Sequence, residues 1–370
     1  MLPVIFRPEI GSSHSAMKRF FAVFFVFGLA TSSFAYPHRR TAIKAKPQGF
    51  LQDDVVRVNT TLVTLPVSVK NRKGKTILNL RREDFHLYEN GVEQEIAYFE
   101  PPDEVNNQSQ GAGTHYTEKL LTVALLIDIS DSTQFKVKQI QEAALAFVDQ
   151  LRPQDRMLVM SFDKKARVLT EPTNDRNTLR EAISGMRTGG GTSLYDAVGS
   201  TLNWLNRISG RKAIVLLTDG VDTASATATY DSTVRAAAQL DAAIYPIQYS
   251  TYGDFADNPS RQTNSVGDLA VTAHVTKHGE LASEAYKRAT LYLRLLAEKT
   301  GGGFEYMDNV KQLSKSFTHI ASELRQEYTL GYYPKNRTTD GRARELEVIV
   351  DVPKVVIRTR KSYIYRPLSR

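Results

Sequence analysis

Short apolar segments alternate with amphipathic segments from residue 120 onward, and this alternation constrains the fold more than any other feature. An apolar run at 120–127 is followed by a segment at about 135–151, in which Ile140, Ala144 and Phe147 recur at helical spacing and predict one buried stripe. Further strands are predicted at 157–162, 213–217, 244–249 and 304–307, and further helices at about 176–186, 194–207, 230–242, 284–299 and 310–325. Continuous apolar strands between helices predict an α/β fold, with a doubly wound, mostly parallel sheet covered on both faces.

Both flanks of this region have the two-residue period of β-strands. Residues 50–100 are predicted to form an N-terminal β module, with turns at Asn71–Gly74 and Glu89–Gly91. Pro66 predicts that the first strand lies at a sheet edge or contains a bulge. Residues 327–370 return to strands. Each flank has too few strands to bury a good core, so we expect the two to pair into one β-sandwich.

Two polar segments divide the chain further. Residues 101–117 are rich in Pro, Asn, Gln and Gly and are predicted to form a solvated linker, which places the central domain at 118–326. Residues 251–283 are polar and weakly periodic and are predicted to be an insertion in that domain. Loops of this length are usually functional or mobile.

Residues 1–35 have the pattern of a secretory signal peptide. Met17-Lys-Arg precedes the apolar stretch Phe20–Ala30, and small residues follow up to Ala35. The pattern predicts cleavage after Ala35, fits a start at Met17 better than one at Met1, and indicates export to the bacterial periplasm or beyond. A stretch of about 11 residues is shorter than the roughly 20 that cross a bilayer, although an uncleaved anchor is the alternative.

Composition removes several classes of function. The chain has no cysteine, which excludes cysteine nucleophiles, iron–sulfur clusters and thiolate zinc sites. The net charge of +8, from 48 basic and 40 acidic residues, is too diffuse for a nucleic-acid binder. A basic cluster of Arg358, Arg360, Lys361 and Arg366 near the carboxyl end predicts a solvated strand face, with an acidic glycan or lipid contact as the alternative.

Three polar motifs lie where a parallel sheet would bring them together. They are Asp128-Ile-Ser130-Asp-Ser132 after the first central strand, Gly189-Gly-Gly-Thr192 before a helix, and Thr218-Asp219-Gly220 after another strand. The carboxyl ends of such strands meet at one edge, where ligands bind. All side-chain donors in the motifs are oxygens, which suit Mg²⁺, Mn²⁺ or Ca²⁺.

These motifs, in this order, resemble the metal-ion-dependent adhesion site of von Willebrand factor A domains. The resemblance covers about residues 118–325. It implies that the two serines bind the metal directly, the two aspartates directly or through water, and the threonine when a ligand is engaged. The implied metal ligands are Asp128, Ser130, Ser132, Thr192 and Asp219.

The flanks are also similar to a known group of proteins. Residues 83–91 and 328–334 resemble segments of the exported, von Willebrand A-related proteins that are abundant in Acidobacteria. Asp196, in the helix after the glycine motif, is predicted to be a first-turn carboxylate that favours the helix dipole rather than a metal ligand.

The favoured function is exported, non-enzymatic binding or adhesion, in which the metal captures a Glu or Asp of a protein ligand. Hydrolysis needs a general base beside metal-bound water, and the three motifs contain no His or Glu. Two alternatives remain. One is a metal-assisted hydrolase that uses His274, His278 or Glu280 of the insertion, and the other is a structural envelope component with a vestigial metal site.

Overall fold

The structure is a computed structural model. It describes residues 62–102, 120–134, 136–251, 282–308 and 310–365. The predicted signal peptide, nearly all of the linker and insertion, and Arg366 lie outside these ranges, as do His274, His278 and Glu280.

The described residues form strands and helices in the predicted order. The strands are β1 (Val63–Asn71), β2 (Phe85–Glu89), β3 (Val92–Gln94), β4 (Ile96–Glu100), β5 (Leu121–Asp128), β6 (Arg156–Phe162), β7 (Ala166–Val168), β8 (Arg211–Thr218), β9 (Ala243–Tyr249), β10 (Glu305–Met307), β11 (Tyr328–Tyr332), β12 (Ala343–Val350), β13 (Val355–Arg358) and β14 (Ser362–Ile364). The helices are α1 (Val137–Gln150), α2 (Arg176–Ser184), α3 (Leu194–Leu205), α4 (Tyr230–Gln239), α5 (Ala282–Thr300) and α6 (Leu313–Arg325).

A six-stranded sheet of order β10-β9-β8-β5-β6-β7 lies at the centre of this arrangement. All neighbouring strands are parallel except β7, which runs antiparallel to β6. One face packs against α1, α2 and α6, and the other against α3, α4 and α5. The prediction of a mostly parallel sheet covered by helices on both faces is confirmed.

The flanking strands form two further sheets, and each contains strands from both ends of the chain. Their orders are β13-β1-β11-β4 and β14-β12-β2-β3, and all pairs are antiparallel. Side chains from both sheets share one apolar core, including Leu65 of β1, Leu87 of β2, Leu330 of β11 and Val348 of β12. The expected pairing of the two flanks into a β-sandwich is confirmed.

Local features of β1–β3 agree in part with the sequence signals. Asn90 and Gly91 both have positive φ, 49° and 75°, as the tight turn between β2 and β3 requires. At Pro66, β1 is paired only with β11, because β13 pairs with β1 from Ser68 onward. Strand β1 nevertheless lies between β13 and β11, so the prediction of an edge strand is wrong, and Pro66 is accommodated because it precedes the stretch paired with β13.

Two arginines of the basic cluster near the carboxyl end form hydrogen bonds within the protein. The Arg358 guanidinium donates to Glu323 Oε2 at 2.6 Å. Arg360 is 5% exposed and donates to the Thr64 carbonyl at 2.7 Å. The prediction of a solvated face is wrong for Arg360, whereas Arg358 is partly exposed and Lys361 is exposed. Among the described residues, no helix combines the length and apolar character needed to cross a bilayer.

Candidate metal site

The first loop of the site begins where β5 ends. Asp128 is fully buried, and its carboxylate accepts hydrogen bonds from the Ser130 amide at 2.9 Å and the Thr218 hydroxyl at 2.6 Å. The first bond closes the short Asp turn that aspartate readily forms with an amide two residues on. The hydroxyl oxygens of Ser130 and Ser132 lie 3.1 Å apart. The turn therefore gathers one carboxylate and two hydroxyl groups beyond the strand.

Asp219 follows β8 and joins the same cluster. It is 1% exposed, and its carboxylate accepts from the Val221 amide at 3.1 Å and the Thr251 hydroxyl at 2.8 Å. The Ser132 hydroxyl is a third hydrogen-bond partner of this carboxylate. Ser132 thus links the loop after β5 to the loop after β8, as the topology of a parallel sheet predicts.

The two carboxylates lie in an environment that disfavours their charge. Burial, and then the nearby charge of Asp219, raises the pKa of Asp128 to about 7. Burial likewise raises the pKa of Asp219, although the charge of Lys136 opposes this shift. None of the ion pairs formed among the described residues involves either carboxylate. Their oxygens are held by amides and hydroxyls, so the cluster has a deficit of positive charge.

The glycine loop approaches the first loop closely. The Gly189 amide donates to the Ile129 carbonyl at 2.8 Å. A Cβ atom at position 189 would lie 2.0 Å from Asp163 Oδ2, and one at position 190 would lie 3.3 Å from Asp131 Oδ2. Glycine is required at position 189 for this contact and fits best at position 190.

The backbone of Thr192 is hydrogen-bonded to the segment that follows Asp219. The residue is 5% exposed, and its carbonyl accepts from the Thr223 amide at 2.8 Å and the Ala224 amide at 2.9 Å. Its own amide donates to the Thr223 hydroxyl at 2.9 Å. The structure therefore fastens Thr192 to the chain that follows Asp219. The other four predicted ligands are connected by side-chain contacts, whereas none of these hydrogen bonds of Thr192 is to them.

The Asp196 side chain accepts hydrogen bonds from the loop before α4. Its carboxylate accepts from the amides of Ala226 at 2.8 Å, Thr227 at 3.0 Å and Ala228 at 2.6 Å. Burial acts to raise its pKa, but these hydrogen bonds and that of the Thr227 hydroxyl outweigh burial and lower it. The carboxylate thus orders the segment before α4, in keeping with its predicted exclusion from the ligand set.

Sequence reasoning does not identify several residues that support the two aspartates. Thr218 lies in one of the three motifs, but only the structure shows that its hydroxyl holds Asp128. Thr251 falls in the predicted insertion, and its contact with Asp219 carries no local sequence signal. Within the described ranges, no cluster of three or more His, Cys, Asp or Glu side chains could hold a metal. A cation here would depend on hydroxyl oxygens beside two carboxylates.

The donor set fits a hard divalent cation. Both carboxylates and the Ser130 and Ser132 hydroxyls offer oxygen atoms, which are the ligands that Mg²⁺, Mn²⁺ and Ca²⁺ prefer. Magnesium is usually bound through one or two carboxylates while it keeps several waters. Four protein groups of this kind would leave coordination positions for other oxygens.

Comparison with known families agrees with this geometry. Residues 123–221 match the family model of the von Willebrand factor type A domain. That range begins in β5 and contains all five predicted metal ligands. Residues 123–221 are therefore similar to von Willebrand factor type A domains.

One curated relative has a similar region. The uncharacterized protein sll0103 of Synechocystis sp. is 30% identical over 116 residues, which make up 30% of the present chain and 27% of that protein. The present chain thus matches about a quarter of the length of this relative. The similarity covers one region and does not extend to the activity or partners of the whole protein.

Solved structures with a partly similar backbone fold include two von Willebrand-type domains and a pilin. The vWF domain of the type V pili tip protein Mfa5 from Porphyromonas gingivalis is 13% identical, with 56% of the present chain and 96% of that chain covered and a TM-score of 0.42. The von Willebrand factor type A protein from Catenulispora acidiphila is 11% identical, with coverages of 76% and 73% and a TM-score of 0.42. A mutant of the PilB minor pilin from Streptococcus sanguinis is 12% identical, with coverages of 58% and 63% and a TM-score of 0.41. Similarity at this level says nothing about the ligand of the present protein.

Proposed function

We propose that this chain is an exported, non-enzymatic binding protein that uses a divalent cation to capture an acidic group of a protein ligand. The carrying observation is the pair of buried carboxylates, Asp128 and Asp219, which are held by amides and hydroxyls and form no ion pair with a described residue. Two buried like charges are costly unless an opposite charge neutralises them. The export part of the proposal rests on the signal pattern in residues 17–35.

The proposed ligand set is that of a metal-ion-dependent adhesion site. Asp128, Ser130, Ser132 and Asp219 would hold Mg²⁺ or Mn²⁺, with Ca²⁺ as a further option, and Thr192 would join when a ligand is bound. When bound, the cation supplies an electrophilic centre for a carboxylate oxygen of the partner. Because the chain contributes only two negative charges, much of the positive charge of the cation remains available to that partner.

The two alternative functions have less support. Metal-assisted hydrolysis needs a general base beside the metal, and its candidates His274, His278 and Glu280 lie outside the described residues, so this alternative stays a prediction. A vestigial site has no reason to retain two buried acids, because replacing one of them would remove their repulsion. We therefore favour binding over both alternatives.

The proposal is tested with Mn²⁺ as a paramagnetic probe. We expect the metal-stripped full chain to enhance water proton relaxation when Mn²⁺ binds, because coordinated water remains at the open positions. N-acetylglutamate amide should lower the enhancement by displacing that water, whereas N-acetylglutamine amide should not. No enhancement above that of the Asp219→Ala variant, or equal effects of the two amides, would contradict the proposal.

A further inference from the structure

Helix α5 packs directly against the turn that carries Asp219. Gly220 has a φ of 87°, and a Cβ atom there would lie 2.9 Å from Leu293 Cδ1 and 3.0 Å from the Ala289 Cβ. Ala289 and Leu293 are four residues apart and therefore lie on one face of the helix. Val221, the next residue after Gly220, shares a small apolar cluster with Ala285 and Ala289. The position of Asp219 is thus tied to the position of α5.

The same helix reaches the Asp219 side chain through two hydroxyl groups. Thr251 is fully buried, and its hydroxyl donates to Asp219 Oδ2 at 2.8 Å. The Thr251 hydroxyl also contacts the hydroxyl of Tyr286 on α5. A hydroxyl has only one hydrogen to donate. Since Thr251 gives its hydrogen to the carboxylate, Tyr286 is the donor in the second bond, and the relay runs from Tyr286 through Thr251 to Asp219.

A second connection reaches the Asp219 backbone. The side-chain amide of Gln248, which is 1% exposed, donates to the Asp219 carbonyl at 2.9 Å. The Thr290 hydroxyl lies 2.9 Å from the amide oxygen of Gln248 and 3.0 Å from the Tyr286 carbonyl, so these two acceptors share its single hydrogen. Tyr286 and Thr290 are one helical turn apart on α5. One helix face therefore holds both the carbonyl and the carboxylate of Asp219.

We propose that α5 is the positioning element of the metal site, with Tyr286 and Thr251 as positioning residues for Asp219. This inference rests on the proposed function, since it assigns the relay a role in metal affinity. The Val221 amide holds one carboxylate oxygen and Thr251 the other, so the relay fixes the rotation of the group about its Cβ–Cγ bond. Loss of the relay would remove one of the hydrogen bonds that hold the carboxylate and would weaken its binding of a cation.

The test compares Mn²⁺ dissociation constants of full-length variants. Removal of one hydrogen bond in Tyr286→Phe should raise the constant by about three- to tenfold. Thr251→Val should raise it further, and Thr251→Ser should restore it. Tyr292→Phe is the matched control on the same helix, because the buried Tyr292 hydroxyl contacts Thr233 at 2.9 Å rather than the Asp219 relay. We expect Tyr292→Phe to lower the melting temperature and to leave the Mn²⁺ constant unchanged.

The outcomes separate this inference from the function on which it rests. Wild-type binding of Mn²⁺ with unchanged constants in Tyr286→Phe and Thr251→Val would overturn the positioning role alone. An equal loss of affinity in Tyr292→Phe would also overturn it, since the effect would then be general loosening of α5. Absence of Mn²⁺ binding in the wild type would contradict the proposed function. It would also contradict the positioning role, which presupposes a metal site. If Thr251→Val does not fold, Tyr286→Phe and Thr251→Ser still decide the question.

Discussion

The two ends of the central parallel sheet both gather buried carboxylates, but Glu323 at one end pairs with two cations, whereas Asp128 and Asp219 at the other form no ion pair with a described residue. At the amino-terminal edge, Glu323 is 4% exposed and contacts Lys70 of β1 and Arg358 of β13. Arg211, at the start of β8, donates to the Leu324 carbonyl at 2.9 Å and thereby holds the end of α6 at this edge. At the carboxyl-terminal edge, the described partners of Asp128 and Asp219 are hydroxyls and amides.

The pKa values express this difference. Burial acts to raise the pKa of Glu323, but the charges and hydrogen bonds of Arg358 and Lys70 outweigh it and lower the pKa. Burial raises the pKa of Asp128 to about 7, and the charge of Asp219 adds to this shift. Glu323 is therefore neutralised by its ion pairs at the joint between the central domain and the sandwich, whereas burial raises the pKa of Glu327 at the same end. At the other end, Asp128 and Asp219 form no ion pair with a described residue, and a divalent cation would neutralise both of them.

The largest effect is expected at the neutralised end. Arg358→Met keeps much of the aliphatic length of the side chain and removes the cation beside Glu323, so we expect the free energy of unfolding to fall by about 2–3 kcal/mol. The control is Arg342→Met, because Arg342 is 86% exposed and its 4.0 Å pair with Asp340 should contribute less than about 0.5 kcal/mol. Denaturant unfolding of both variants measures the difference. Equal losses would mean that the joint does not depend on this ion pair.

Removal of a charge at the other end, beside Asp219, should raise the free energy of unfolding rather than lower it. In EDTA at pH 8, Asp128→Asn should raise the free energy of unfolding by about 1–2 kcal/mol, because it removes one of two buried like charges. The same variant in saturating Mn²⁺ should be less stable than the wild type, since a ligand that binds the folded state stabilises it. Chemical unfolding with and without metal checks both signs. A loss of stability in EDTA would contradict the charge deficit that we assign to this edge.

The smallest effect concerns His319, which lies beside the neutralised cluster. Its imidazole contacts Glu305 at 2.6 Å and Glu323 at 3.5 Å, and the hydrogen bond to Glu305, above all, raises its pKa. A raised folded-state pKa stabilises the protein fully below the unfolded value of 6.5, and this stability is lost as the pH rises through the folded value. The side chain is half exposed, so we expect the wild type to exceed His319→Asn by at most about 0.5 kcal/mol at pH 5.5.

Denaturant unfolding at pH 5.5 and pH 9 measures the free energies of unfolding that test this prediction. The difference between wild type and His319→Asn should shrink at the higher pH. A difference that grows with pH would show that the imidazole is stabilised in its neutral form.

The sequence predicts those parts of the fold that leave a periodic signal. The run from Leu121 to Ile127 is buried throughout, as a central strand of a parallel sheet must be, and β5 forms there. The site motifs can be found in the sequence because Asp128 and Asp219 directly follow such runs. The sandwich is expected because neither flank alone has enough strands for a core.

Features that depend on distant partners leave no such signal. Strands β7 and β14 contain three residues each, which is too short for a recognisable period. The interior role of Arg358 depends on Glu323, 35 residues away, and a basic run in sequence shows nothing of that partner. The Tyr286–Thr251 relay likewise exists only through the packing of α5 against β9 and the Asp219 turn.

The proposed cation site is tested most directly by isothermal titration of Mn²⁺ into the metal-stripped full chain. We expect a single saturable site in the wild type, loss of that site in Asp128→Asn by at least about 100-fold in affinity, and retention in His319→Asn, which alters only the opposite end of the sheet. Equal binding by the wild type and Asp128→Asn, or no binding by the wild type, would contradict the claim that this edge is completed by a divalent cation.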